Sequence, residues 1–256
     1  MAQATLFWNS QTPVEKAHII RGFRFELTKV QVPAVRRRVV AMLANVDAEL
    51  AGSLAAELGM DMPAALPRAL KRTPQPEIDV SPALSLFARP GDGSIRTRRV
   101  AILVADGVDG PAAQTLHEGL AGEGAVPRYV GGRLGAVQTE DGDTIEVEVT
   151  FETMPSVLFD AVAVPGGKAA AVILGNLGHA LEFIKDQYRH AKPILALGAG
   201  CDFVENAGAP AVLPSGDPDP GMLTDRQAPA AKLLSRFIKA IARHRHHERE
   251  MDPPSL

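Results

Sequence analysis

Few residues in this chain have the chemistry for a covalent or metal-assisted reaction. The only thiol is Cys201, a few residues after the apolar run Pro193–Leu197, in Gly198-Ala199-Gly200-Cys201-Asp202. A thiol at a helix N-terminus can be activated as a nucleophile. A lone cysteine entering a helix beside Phe203 and Val204 is equally the signature of a packed core residue, and we read Cys201 as packed. Pro165-Gly166-Gly167 follows a second apolar run. Two successive glycines let backbone N–H groups converge on an anion, although a plain strand-to-helix turn needs them too. Asp106 and Asp109 flank Gly107 after a third run, at the edge where open α/β sheets hold ligands. Helix capping would also use them. Asp106, Asp109, Gly166, Gly167, Gly198 and Cys201 are therefore the candidate ligand-pocket residues. His244, His246 and His247 could hold a metal, but Arg243, Arg245 and Arg249 surround them and repel cations, so a solvated helix tail is expected and no metal site.

These residues need a scaffold, and the alternation of elements supplies it. Arg99–Ala105 is a short apolar run of the kind found in buried parallel strands. Helix-like Pro111–Gly122 follows, then strand-like Val126–Val130 and a strand near an edge at Thr144–Val149. Asp160–Pro165 is another buried strand, His179–His190 a helix, Pro193–Leu197 a strand, Cys201–Ala207 a helix and Pro229–His244 a closing amphipathic helix. Strands alternating with helices predict a doubly wound parallel sheet with helices on both faces, over residues 99–250. Residues 1–60 read as a small all-α segment. After a loop-like start, Thr12-Pro13 with Glu15 opens one helix, Pro33 a second, and Asp47 a third that ends at Gly59. Phe7, Trp8, Phe23 and Phe25 in this segment need a surface to pack on. Between the two, residues 61–98 carry Pro63, Pro67, Pro74, Pro76, Pro82 and Pro90 and predict an extended linker with little regular structure.

Composition excludes several partners. A hydrophobic content of 46% over 256 residues supports a substantial core, and a net charge of −3 gives no pull towards nucleic acid or membrane. Between Lys232 and Glu250 six Lys/Arg face two Glu, which we read as a solvated helix end complementing its dipole. One cysteine precludes an internal disulfide, and the N-terminal residues lack an apolar signal core, so a soluble cytoplasmic protein is expected.

Two stretches resemble one family. Leu6–Val40 (LFWNSQTPVEKAHIIRGFRFELTKVQVPAVRRRVV) is similar to the closing helical segment of catalases. VAILVADGVDG at 100–110 and FDAVAVPGG at 159–167 resemble the flavodoxin-like domain appended to large-subunit catalases, of the PfpI and class I glutamine amidotransferase-like group. The resemblance implies a parent enzyme that decomposes hydrogen peroxide at haem, in the oxidative-stress response, as a homotetramer. It implies no cofactor in this chain, because the haem ligands of catalases lie upstream of the matching segment. Their iron takes a tyrosine phenolate supported by an arginine one helical turn earlier. Ala125 and Ile184 stand four residues before Tyr129 and Tyr188. In PfpI-type enzymes the nucleophilic cysteine occupies the strand-to-helix turn, which aligns with Gly198 here. A supporting glutamate aligns with Val108 or Asp109, and Cys201 falls too far along to substitute. The expectation is a non-catalytic accessory portion of a catalase, serving subunit packing and stability. The alternatives are a chaperone-like module with client proteins, and a hydrolase or deglycase using Cys201.

Overall fold

The structure, a computed structural model, describes residues 2–68 and 77–256. It divides into two compact units, Met1–Pro90 and Gly91–Leu256.

The first unit holds α1 (Ala2–Asn9), α2 (Pro13–Thr28), α3 (Pro33–Leu43) and α4 (Ala48–Glu57). The Thr12 side chain accepts the Glu15 N–H, while the Glu15 carboxylate accepts the Thr12 N–H at 2.8 Å. This reciprocal box satisfies two donors that the first turn would otherwise leave orphaned. Asp47 caps α4 by accepting from the Leu50 N–H at 3.0 Å. Trp8, Leu27, Val40, Leu50 and Leu54 form the core. The loop-like start expected at the N-terminus is instead α1, because helical backbone is what carries Trp8 into that core. Phe23 packs against the same cluster, so two of the four aromatics are satisfied within the unit. Phe7 and Phe25 remain 46% and 64% exposed.

The proline-rich stretch has two short 3-10 turns, Pro82–Leu84 and Leu86–Ala88, and is tied to the helices. Glu15 accepts the Ser85 hydroxyl at 2.9 Å and the Leu86 N–H at 2.8 Å, and Ser10 accepts the Ser81 N–H at 2.9 Å. Burial works against the Glu15 charge, yet these donors hold its carboxyl below the usual range. Pro74 and Pro76 lie outside the described residues.

The second unit runs β1 (Arg99–Leu103), α5 (Gly110–Gly122), β2 (Val126–Gly131), β3 (Gly135–Gln138), β4 (Thr144–Val147), β5 (Val149–Thr150), β6 (Ala161–Val164), α6 (Lys168–Gly175), α7 (Gly178–Arg189), β7 (Ile194–Leu197), α8 (Gly200–Asn206), β8 (Met222–Asp225) and α9 (Ala230–Ala242). Six strands form one parallel sheet in the order β5-β2-β1-β6-β7-β8. Connections leave β1 in opposite directions, so right-handed crossovers place helices on both faces. Accordingly α5 packs with α9, and α6 with α7 and α8. Every residue of β6 and β7 is buried, as a strand covered on both sides requires.

The single strand expected at Thr144–Val149 is broken at Glu148. Its carboxylate accepts the Tyr129 N–H at 2.8 Å and pairs with Arg128, which turns the chain between β4 and β5. β4 forms an antiparallel hairpin with β3, and only β5 joins the main sheet. α6, β3 and β8 are further elements that periodicity did not mark. The solvated C-terminal tail is also overturned: His246 and Arg249 are 1% and 3% exposed. Arg249 is drawn in because Asp219 neutralises it inside the fold. Among the described residues no helix is long and apolar enough to cross a membrane.

Candidate functional site

The carboxyl ends of β1, β6 and β7 each turn on a glycine with positive φ: Gly107 at +80°, Gly167 at +109° and Gly198 at +51°. The first two turns interlock. The Asp109 N–H donates to the Gly166 carbonyl at 3.0 Å, and a Cβ on Gly167 would lie 2.1 Å from the Gly107 oxygen. Backbone thus bridges the two turns at the topological switch point. What stays open is a groove of about 910 Å³ towards β7, lined among others by Glu140, Gly166, Lys168, Gly198, Asp202 and Arg226.

Several of its charged groups are answered from within. The Glu140 carboxylate accepts the Lys168 N–H at 3.1 Å, where an anion would sit at the start of α6. Arg226 pairs with Asp202, and with Glu205 at 2.8 Å. The structure therefore brings Asp109, Gly166, Gly167 and Gly198 to one groove. Within it Asp109 acts as the α5 cap, accepting the Ala112 N–H at 2.9 Å. Asp106 is directed elsewhere and accepts the Gln138 N–H of β3 at 2.9 Å. Val108 is buried.

Cys201 does not line the groove. It is 2% exposed, with its Sγ 3.4 Å from the Ala196 carbonyl. Burial pushes the thiol pKa up, against Arg226, which favours the thiolate. A nucleophile needs the opposite. Labelling native chain with an aromatic disulfide reagent at pH 8 is expected to run at least roughly a hundredfold slower than free cysteine, limited by local opening. Denaturant should release one reactive thiol per chain. Rapid native labelling would show the thiol to be accessible.

Glu140, Lys168, Asp202 and Arg226 are groove residues that sequence reasoning missed, and Glu140 could have been found. Its signal lay in Thr139-Glu140-Asp141-Gly142, an Asp-Gly turn between two short strands. Gly142 indeed takes φ +91° there.

Both tyrosines are engaged within the fold. Burial, then Glu148 and Glu118, push the Tyr129 phenol up to about 12, and its ring stacks on His117 at 4.8 Å. Tyr188 is buried beneath the Arg249 guanidinium at 4.7 Å, and burial raises its pKa as well.

Residues 96–251 match the family described as the C-terminal domain found in long catalases, and residues 1–58 match one described as catalase-related immune-responsive. The chain is similar to a catalase HPII of Mycobacterium avium, at 38% identity over 98% of this chain and 35% of that protein. It is also similar to catalase-2 of Bacillus subtilis, at 38% over 98% and 34%. Catalase-B of Dictyostelium discoideum matches at 32% over 97% of this chain and 34% of its own length. The chain thus spans about a third of the length of the curated relatives it matches. With the matched domain covering more than half of its residues, the chain belongs to the family of C-terminal domains found in long catalases.

Proposed function

We propose that this chain is the non-catalytic C-terminal part of a large haem catalase, contributing subunit packing and stability to a homotetramer. The parent reaction is the conversion of two hydrogen peroxide molecules to two water and one dioxygen at haem bound by other residues. The observation that carries this reading is the turn after β7. A glycine, Gly198, stands at its apex, while Cys201 lies buried beneath and Glu140 fills the adjacent anion position. Acyl transfer of this type needs a thiol or hydroxyl nucleophile, a base and oxyanion donors together, and among the described residues the groove's lining includes no Cys, Ser or Thr. Packing is supported by the apolar surface of the helical unit, where Phe25, Val32, Val35 and Met42 are exposed. The same surface gives a secondary reading, a chaperone-like hold on client proteins.

The test replaces the matching C-terminal region of Bacillus subtilis catalase-2 with this chain. The chimera is expected to assemble and to keep peroxide turnover per haem within about twofold, because no interaction with the transition state changes. Cys201→Ala should leave that turnover unmoved. Turnover that falls with Cys201→Ala would sink the non-catalytic reading. A chimera that fails to assemble, while the free chain suppresses aggregation of an unfolding protein, would favour the chaperone-like one.

A further inference from the structure

The C-terminal segment that sequence analysis placed in solvent is a strap folded under the sheet, and its anchors are polar. His246 is 1% exposed and its main-chain N–H donates to the Ala191 carbonyl at 2.8 Å. One ring nitrogen, Nε2, lies 3.2 Å from the Ala240 carbonyl. The other, Nδ1, is buried with no hydrogen-bond partner among the described residues. Three residues on, Arg249 reaches Asp219 through Nε at 2.6 Å and Nη2 at 3.1 Å, and donates from Nη1 to the Lys192 carbonyl at 2.8 Å. Gly221 leaves room for both side chains: a Cβ there would meet His246 Cδ2 at 2.5 Å and Arg249 Nη2 at 2.6 Å.

We propose that residues 245–250 form an acid-sensitive strap, released from the segment before β8 and from the α7–β7 turn when the His246 imidazole takes up a proton. The geometry disfavours the charged ring. A proton on Nδ1 would be a buried donor without an acceptor, which is costly. The cations that act on the ring have its own new sign: Arg249 from the strap and Arg243 from the end of α9. Asp219, before β8, opposes them, but its oxygens are already taken by Arg249 and the Gly221 N–H at 2.7 Å. Glu248 is engaged by Arg243. Tyr188, from α7, holds its proton. Burial, with Arg249 and Arg243 adding to it, depresses the His246 pKa to about 4 from the ordinary 6.5.

The hinge is also present. His244 has φ +70°, and its ring lies 3.7 Å from Asp160 at the start of β6. Burial works against the Asp160 charge, yet His244, the Arg99 N–H and Arg98 hold its carboxyl at about 2. It stays ionised through the range in which His246 titrates, so α9 remains anchored while the strap beyond it lets go.

A depressed histidine pKa makes the closed strap fully favoured above about 6.5 and weakens it as pH falls towards 4. Hydrogen exchange of the full chain, corrected for intrinsic rates, is expected to show strap amides opening on the order of a hundredfold more at pH 4.5 than at pH 7. Amides of β1 and β6 should keep their protection, and His246→Gln, which can still donate to Ala240, should flatten the strap profile. A flat wild-type profile would overturn the proposal, as would an equally steep one in His246→Gln, or core amides opening together with the strap. If the glutamine variant is already open at pH 7, the imidazole resonances of wild type decide: a folded-state titration midpoint of 6 or above rejects the switch, and one well below it supports it.

Discussion

Gly167→Ala is expected to destabilise the α/β unit by more than about 3 kcal/mol, whereas Gly198→Ala, at the neighbouring turn, should cost only about 1–2 kcal/mol. Both residues have positive φ, at +51° for Gly198, within the left-handed region, and at +109° for Gly167, beyond it, so a side chain is strained at both and more so at Gly167. The surroundings widen the difference. A Cβ on Gly167 would meet the Gly107 oxygen at 2.1 Å, the Val108 Cα at 2.8 Å and the Asp109 nitrogen at 3.0 Å. All three are backbone atoms, so no rotamer change relieves the contact. The turn after β1 would have to move, and with it the Asp109-to-Gly166 hydrogen bond that joins the two turns. At Gly198 the nearest atom is the Gly166 Cα at 3.5 Å, an ordinary contact. Urea unfolding of both variants, followed by far-ultraviolet circular dichroism, measures the difference. Equal losses would mean that the turns are not interlocked as described.

That contrast shows how much of this site is legible in sequence. Gly166, Gly167 and Gly198 can be assigned to the sheet edge because each follows a fully apolar run, and such runs mark buried parallel strands. Thr12 with Glu15, and Asp47, can be assigned as caps because capping is a local interaction three residues long. Proximity in sequence places Asp106 and Cys201 at the same edge, yet they face β3 and the core. Their direction depends on where a helix or strand begins, and a shift of one residue turns the side chain away. Glu140 escapes sequence reasoning because a hairpin outside the main sheet delivers it. Burial of charge is the least legible property of all. His246 and Arg249 sit in a run of arginines and histidines that any local rule assigns to solvent. Only a partner 30 residues away brings Arg249 inside.

That partner makes the second large prediction. Asp219→Ala is expected to destabilise the α/β unit by about 3–5 kcal/mol, because it leaves a buried guanidinium with no counter-charge. The side chains of Arg249 and Asp219 are 1% and 0% exposed, so water cannot take over the role of the missing carboxylate. The loss has two further parts. The Gly221 N–H loses its acceptor, and the guanidinium loses the anchor that holds it 4.7 Å over the Tyr188 ring. Arg249→Met should be severe for the converse reason, since it strands a carboxylate. The double variant Asp219→Ala, Arg249→Met removes both charges and keeps an apolar chain of similar length. It should therefore be more stable than either single variant, with a coupling of at least about 2 kcal/mol. Raising salt should leave this coupling unchanged, since buried pairs escape screening. The exposed Arg226–Glu205 pair provides the comparison, with a contribution of about 0–1 kcal/mol that salt erodes. Chemical denaturation of the four proteins of the cycle, at low and high salt, gives all of these numbers. Additive single losses would show that Arg249 and Asp219 do not act as a pair. A coupling that salt abolishes would place them in solvent after all.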